Sequence, residues 1–201
     1  MDSFLLSPAN TRGRRADGWQ RAAFERQAPA SGVALRLRQE KLTFGELFSA
    51  TSALYFRGKL EYAQHFAAPD AVRVIAPGVG LVPPHYRVTR GRWAKLRTTT
   101  TRLDDEAFAD GLARAVRRLD AQRVVFLGSI DPQRYLGVLA PILGERLVVP
   151  KLFLGIGSMQ RGSLLRQRVR TGRALAYVSA AQAMRFGEAK RQRPRLRRDR
   201  T

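Results

Sequence analysis

Three apolar runs in the chain each end in a loop that carries glycine: Val72-Arg-Val-Ile-Ala-Pro-Gly-Val-Gly80, Arg123-Val-Val-Phe-Leu-Gly-Ser129, and Leu147 through Phe153-Leu-Gly-Ile-Gly-Ser158. Short β-branched runs stopped by glycine, with helical patterns between them, are how an open sheet delivers loose backbone to the carboxyl ends of its strands. The spacing predicts an α/β fold: a single layered domain with a mostly parallel central sheet and flanking helices. Ligands of such folds bind along that edge.

The body is expected over residues 33–186. A mobile N-terminal arm at 1–32 mixes Pro, Gly, Ala and Arg without sustained apolar period, except at Trp19 to Phe24, where an apolar pair can dock a short helix on the body, and a basic, disordered tail occupies 187–201. Within the body, Val33-Ala-Leu-Arg-Leu-Arg alternates as a strand does, and Thr43-Phe-Gly-Glu46 has the spacing of a capping box that opens a helix. Gly58 marks a break in the apolar stretch that follows. Asp104, Asp105 and Glu106 stand at the start of a helix whose Phe108, Leu112, Val116 and Leu119 share one face, with Arg114, Arg117 and Arg118 on the other. Asp131-Pro132 opens a further helix, and Ser163 to Arg170 forms another, closed by Gly172. Leu147 to Val149 and Leu152 to Leu154 are strand material interrupted by Pro150, so one of the two is expected as an edge or a turn; Leu175 to Val178 reads as a short strand and Ala180 to Arg185 as a last helical turn.

Charge restricts the partner. The 201 residues carry 37 Lys+Arg against 16 Asp+Glu, a formal net charge of +21, so a polyanion, nucleic acid first among them, is the expected partner. Only five of the 37 are Lys, a bias that codon usage can produce, although codon usage does not create a surplus over acids. The absence of cysteine excludes disulfides, thiolate metal sites and cysteine nucleophiles. The acidic start and three-residue apolar stretch of the N-terminus are too short for a signal peptide, and no run approaches the ~18 apolar residues of a membrane span, so a cytoplasmic protein without a membrane partner is expected.

Two loops lie between a strand and a helix, where free N–H groups and the helix dipole favour an anion. Gly128-Ser129 is one; Gly155-Ile-Gly157-Ser158-Met-Gln-Arg161-Gly-Ser163 is the other, with Arg161 able to add a bidentate contact. Neither meets the dinucleotide or Walker spacing, and glycines that only turn the chain explain them as well. With Gly78 and Gly80, the candidate phosphate or nucleotide ligands are Gly78, Gly80, Gly128, Ser129, Gly157, Ser158, Arg161 and Ser163. Asp131 is most simply a helix cap. No residue spacing asks for a metal or a cofactor.

The segment Pro77 to Tyr86 sets apolar residues among glycines and prolines that forbid regular structure. His85 within it is the candidate acid or base, with a surface role the simpler alternative because no orienting carboxylate is identifiable. From there Arg87, Arg90, Arg92, Lys95, Arg97 and Arg102 follow without an acid, interleaved with Tyr86 and Trp93, which is the composition of a single-strand-binding surface. Arg195, Arg197, Arg198 and Arg200 in the tail add affinity that salt removes.

The order Leu54-Tyr-Phe-Arg-Gly-Lys-Leu-Glu-Tyr-Ala63, Ile75-Ala-Pro-Gly-Val-Gly-Leu-Val-Pro83 and Phe126-Leu-Gly-Ser-Ile-Asp-Pro-Gln-Arg-Tyr135 resembles the peroxide-stress YaaA proteins and the uracil-DNA-glycosylase-like domains attached to tRNA base-modifying enzymes. The resemblance implies an α/β domain with a nucleic-acid or nucleobase connection and the Gly78 to Tyr86 loop as a pocket wall. It transfers no catalytic residue, and the metal-binding cysteines of some relatives are absent.

The expected function is nucleic-acid binding, DNA or RNA undecided, with a strand-end cleft for a phosphate, base or nucleotide. The alternatives are an enzyme acting on a nucleotide or nucleobase and a basic scaffold of a nucleoprotein assembly.

Overall fold

The computed structural model of the chain describes residues 2–25, 30–52, 54–68, 70–101 and 105–192, with 187–192 as backbone. Among the described residues six strands form one sheet: β1 Asp2–Leu6, β2 Val72–Ala76, β3 Gly80–Val82, β4 Arg123–Leu127, β5 Leu147–Pro150 and β6 Tyr177–Ser179. Their spatial order is β3-β2-β1-β4-β5-β6, parallel from β2 to β5, with an antiparallel strand at each edge. The helices are α1 Arg14–Phe24, α2 Gly32–Arg38, α3 Phe44–Thr51, α4 Tyr55–Phe66, α5 Arg90–Thr98, α6 Glu106–Arg117, α7 Gly137–Leu143, α8 Ser158–Thr171 and α9 Ala180–Gln192.

The first correction concerns the N-terminus. Asp2–Leu6, expected in a mobile arm, is the central strand: Phe4 and Leu6 pair with Val72 and Val74 on one side and with Val125 and Leu127 on the other. Being covered on both faces, it carries an unbroken Phe-Leu-Leu run rather than an alternating one. Arg14–Phe24 is a helix of the body, longer than the short docked helix expected at Trp19 to Phe24. The second correction is Val33 to Arg38, which is helical; Ala34 and Leu37, three apart, turn inward, and Arg38 donates to the carbonyls of Ala22 and Ala23 at the end of α1. Of the two apolar pieces around Pro150, Leu147–Pro150 is strand β5 and the second gives way to a 3-10 turn over Lys151–Phe153, the turn expected of one of them. The break expected at Gly58 falls earlier, at Ser52, and Gly58 lies inside α4.

Two boundaries also move: α8 begins at Ser158, inside the expected loop, and α9 runs to Gln192, into residues expected as a disordered tail. The local caps are as expected. The capping box of α3 forms in full, Thr43 and Glu46 each satisfying the other's backbone N–H. Asp105 caps α6, and Gly172, at φ +62°, ends α8.

Strand residues alternate between two cores. Phe4, Leu6, Val72, Val74, Ala76, Val125 and Leu127 face helices α1 to α5 and α8, whereas Leu5, Ile75, Val124, Phe126, Leu147 and Val149 face α6, α7 and α9. The result is a three-layer α/β/α domain. The positions of β2 and β4 on opposite sides of β1 mark the reversal in strand order, the place where open α/β sheets form a crevice at their carboxyl ends.

Candidate functional site

At that reversal the chain leaves β1 at Ser7 and β4 at Gly128, and α4 and α8 lean over both ends. The two helices cross at glycine: a Cβ at Gly58 would lie 2.7 Å from the Gly162 carbonyl oxygen, and one at Gly162 would lie 2.9 Å from that of Leu54. This close approach brings Tyr55 and Lys59 of α4 beside Arg161 of α8.

Lys59 is 1% exposed. Its Nζ donates to the Ser7 carbonyl at 2.6 Å and to Ser7 Oγ at 2.9 Å, and lies 4.7 and 5.0 Å from the ring centres of Tyr55 and Phe56. Burial, with the Arg161 charge adding to it, pushes the Lys59 ammonium down to about 7. Arg161 turns inward: Nε donates to Ile156 O at 3.1 Å, Nη1 to Gly128 O at 3.3 Å and Nη2 to Phe153 O at 2.9 Å. Tyr55 OH also donates to Gly128 O, at 3.3 Å, and burial raises its pKa. Among the described residues no carboxylate forms an ion pair with Lys59 or Arg161.

Arg161 thus unites two of the three glycine loops, those of Gly128 and of 153–157. The remaining candidates there serve the backbone or face outward: Ser129 Oγ accepts from Asp131 N, the Gly157 N–H is capped by Gln160, and Ser158 and Ser163 are exposed. The sequence reading found Arg161 but missed Ser7, Tyr55 and Lys59.

Gly78 and Gly80 belong elsewhere. They form the turn between β2 and β3, at φ +71° and +116°, so Gly80–Val82 is an edge strand where irregular backbone was expected. This turn is one wall of a cavity of about 570 Å³ along α6, whose other lining residues include Thr98, Thr99, Asp105, Arg114 and Arg118. The volume is within the range of small-molecule sites.

The basic segment is helix α5 and its approach. Arg87, Arg90 and Lys95 are exposed. Arg92 lies over the Tyr86 ring at 4.0 Å and donates to its hydroxyl, while Tyr86 stacks on Phe44. Arg97 pairs with Asp17 and donates to Thr11 O. Trp93 is 1% exposed and donates its Nε1–H to Gln20, so its ring packs the core and offers no surface for a base. His85 is exposed on a cleft it shares with Gln64 and Asp70. Arg102, Arg195, Arg197 and Arg198 lie outside the described residues. No described helix is long and apolar enough to cross a membrane. No family model, curated protein or solved structure matches the chain.

Proposed function

We propose that the protein binds nucleic acid on the α6 side of its sheet, with a nucleotide unit entering the cavity that runs along α6 from the β2–β3 turn. The carrying observation is that cavity: a glycine turn that brings bare backbone to one wall, and Arg114 and Arg118 on another. Arg114 and Arg118 are the phosphate ligands in this reading. Thr98 and Thr99 are not, because they stand at the C-terminal, partly negative end of α5 with only hydroxyls to offer, whereas Arg118 at the corresponding end of α6 brings a full positive charge. Exposed Arg87, Arg90 and Lys95 extend the cationic surface, and the net charge of +21 supplies the long-range attraction. The resemblance of the Ile75 to Pro83 segment to YaaA-like and glycosylase-like domains supports the same reading.

Fluorescence anisotropy of labelled oligonucleotides, single-stranded and duplex, against salt tests it. Affinity is expected to fall linearly on a log–log plot, and the Arg114→Ala/Arg118→Ala variant to lose affinity with a slope shallower by roughly one per lost phosphate contact. Undetectable binding at low salt, or binding indifferent to salt, would sink the proposal. The Ser7, Lys59 and Arg161 cluster favours a second reading, an enzyme acting on a nucleic-acid or nucleotide substrate.

A further inference from the structure

We propose that Ser7 and Lys59 form a nucleophile–base pair at the end of the central strand, acting on phosphate esters, with Arg161 holding the phosphoryl oxygens. The geometry is that of an activated nucleophile: Ser7 Oγ is 2.9 Å from Nζ, and the lysine is fixed by its bond to the Ser7 carbonyl and by the rings of Tyr55 and Phe56. Among the described residues, the titratable groups beside Lys59 are Tyr55 on its own helix and Arg161 from α8; Ser7 follows β1. With an ammonium pushed down to about 7, a large share of Lys59 is a free amine near neutrality, able to accept the Ser7 Oγ–H.

A structural lysine would be expected to face an acid, since a buried cation without one is strongly disfavoured. Here a second cation stands beside it. Three of the five Arg161 N–H groups bond to carbonyls of Ile156, Gly128 and Phe153, which fix the guanidinium without neutralising it. Arg161, joined by Lys59 once it has taken the Ser7 proton, puts positive charge into a poorly hydrated site, which favours an anionic electrophile and stabilises the charge that grows on its oxygens. A phosphodiester meets that demand better than a neutral ester.

In the first step the Lys59 amine takes the Ser7 proton while Oγ attacks phosphorus and the bond to the leaving oxygen breaks; the Lys59 ammonium returns the proton to that oxygen. The product is a phosphoester of Ser7. Water then attacks the same phosphorus, gives a proton to the amine, and Ser7 Oγ leaves and recovers it. The proposal rests on the nucleic-acid reading only for which phosphate ester is the natural one.

The test uses the full chain and a small uncharged fluorophosphonate, which reports the nucleophile independently of nucleic-acid binding. Peptide mass mapping is expected to find one adduct, on Ser7, with a labelling rate that climbs through an inflection near pH 7 and falls by about 100-fold or more in Lys59→Met. Turnover of bis(p-nitrophenyl) phosphate is expected to vanish in Ser7→Ala while oligonucleotide binding persists. No adduct on Ser7, or labelling of Lys59→Met at the wild-type rate, overturns the pair. If Lys59→Met does not fold by circular dichroism, a flat pH profile of wild-type labelling does so instead. Turnover of p-nitrophenyl acetate without the phosphodiester overturns the substrate class. A protein that binds oligonucleotides and takes no label ends this proposal and leaves nucleic-acid binding standing.

Discussion

Replacing Gly58 by alanine tests whether the helix crossing positions the Lys59 cluster. The new Cβ would sit 2.7 Å from the Gly162 carbonyl oxygen, about 0.7 Å inside ordinary van der Waals contact. That neighbour is backbone and has no rotamer to escape into, so α4 and α8 must separate. Overpacking of this kind destabilises by about 1–3 kcal/mol, and the rigid contact places Gly58 at the upper end. Alanine's better helix propensity returns ~1 kcal/mol. The net loss is about 2 kcal/mol, a fall in melting temperature of roughly 4–8 °C for a domain of this size. Gly18→Ala in α1, where a Cβ meets nothing within 4 Å, is the control, and is expected to gain up to ~1 kcal/mol. Differential scanning calorimetry of both variants decides the matter. If Gly58→Ala melts at or above the wild type, the close crossing does not exist, and neither does the placement of Arg161 that depends on it.

Two further outcomes follow from the same region. Lys59 titrates near 7 when folded and at 10.5 when unfolded, so the unfolded chain binds the extra proton between those values and stability rises with pH across that window. The slope is on the order of 1 kcal/mol per pH unit; chemical denaturation across the range reads it, and Lys59→Met is expected to flatten the profile, a persistent slope arguing against the buried amine. Tyr62→Phe removes the hydroxyl that accepts the buried Leu175 N–H at 2.8 Å and meets Tyr177 OH at 2.7 Å, and is expected to destabilise by about 1–3 kcal/mol in urea titration, with no change pointing to water in the hydroxyl's place.

How much of this was legible in the sequence depends on whether the signal was local. The α3 capping box, the Asp105 cap and the buried face of α6 are set by residues three or four apart, and all were readable. Central strand β1 was not: Phe4 to Leu6 is too short to declare itself, and what makes it a strand is pairing with residues about 70 and 120 positions away. The same remoteness explains α2, where alternation in Val33 to Arg38 suggested a strand and docking on α1 imposed a helix. Trp93 beside arginines looked like a stacking ring because composition cannot say which side of a helix faces inward.

Lys59 is the instructive omission, because its signal was local and went unread. On a helix from Tyr55 to Phe66, Lys59 falls three residues after Phe56, three before Tyr62 and four before Ala63, all of them buried. A lysine in the middle of an apolar stripe has to be neutral, paired or in use. The periodicity therefore pointed to a lysine under unusual demand, but not to its partner. Ser7 reaches it only because β1 lies at the centre of the sheet, so the error that assigned residues 1–32 to a mobile arm was also the error that concealed the site.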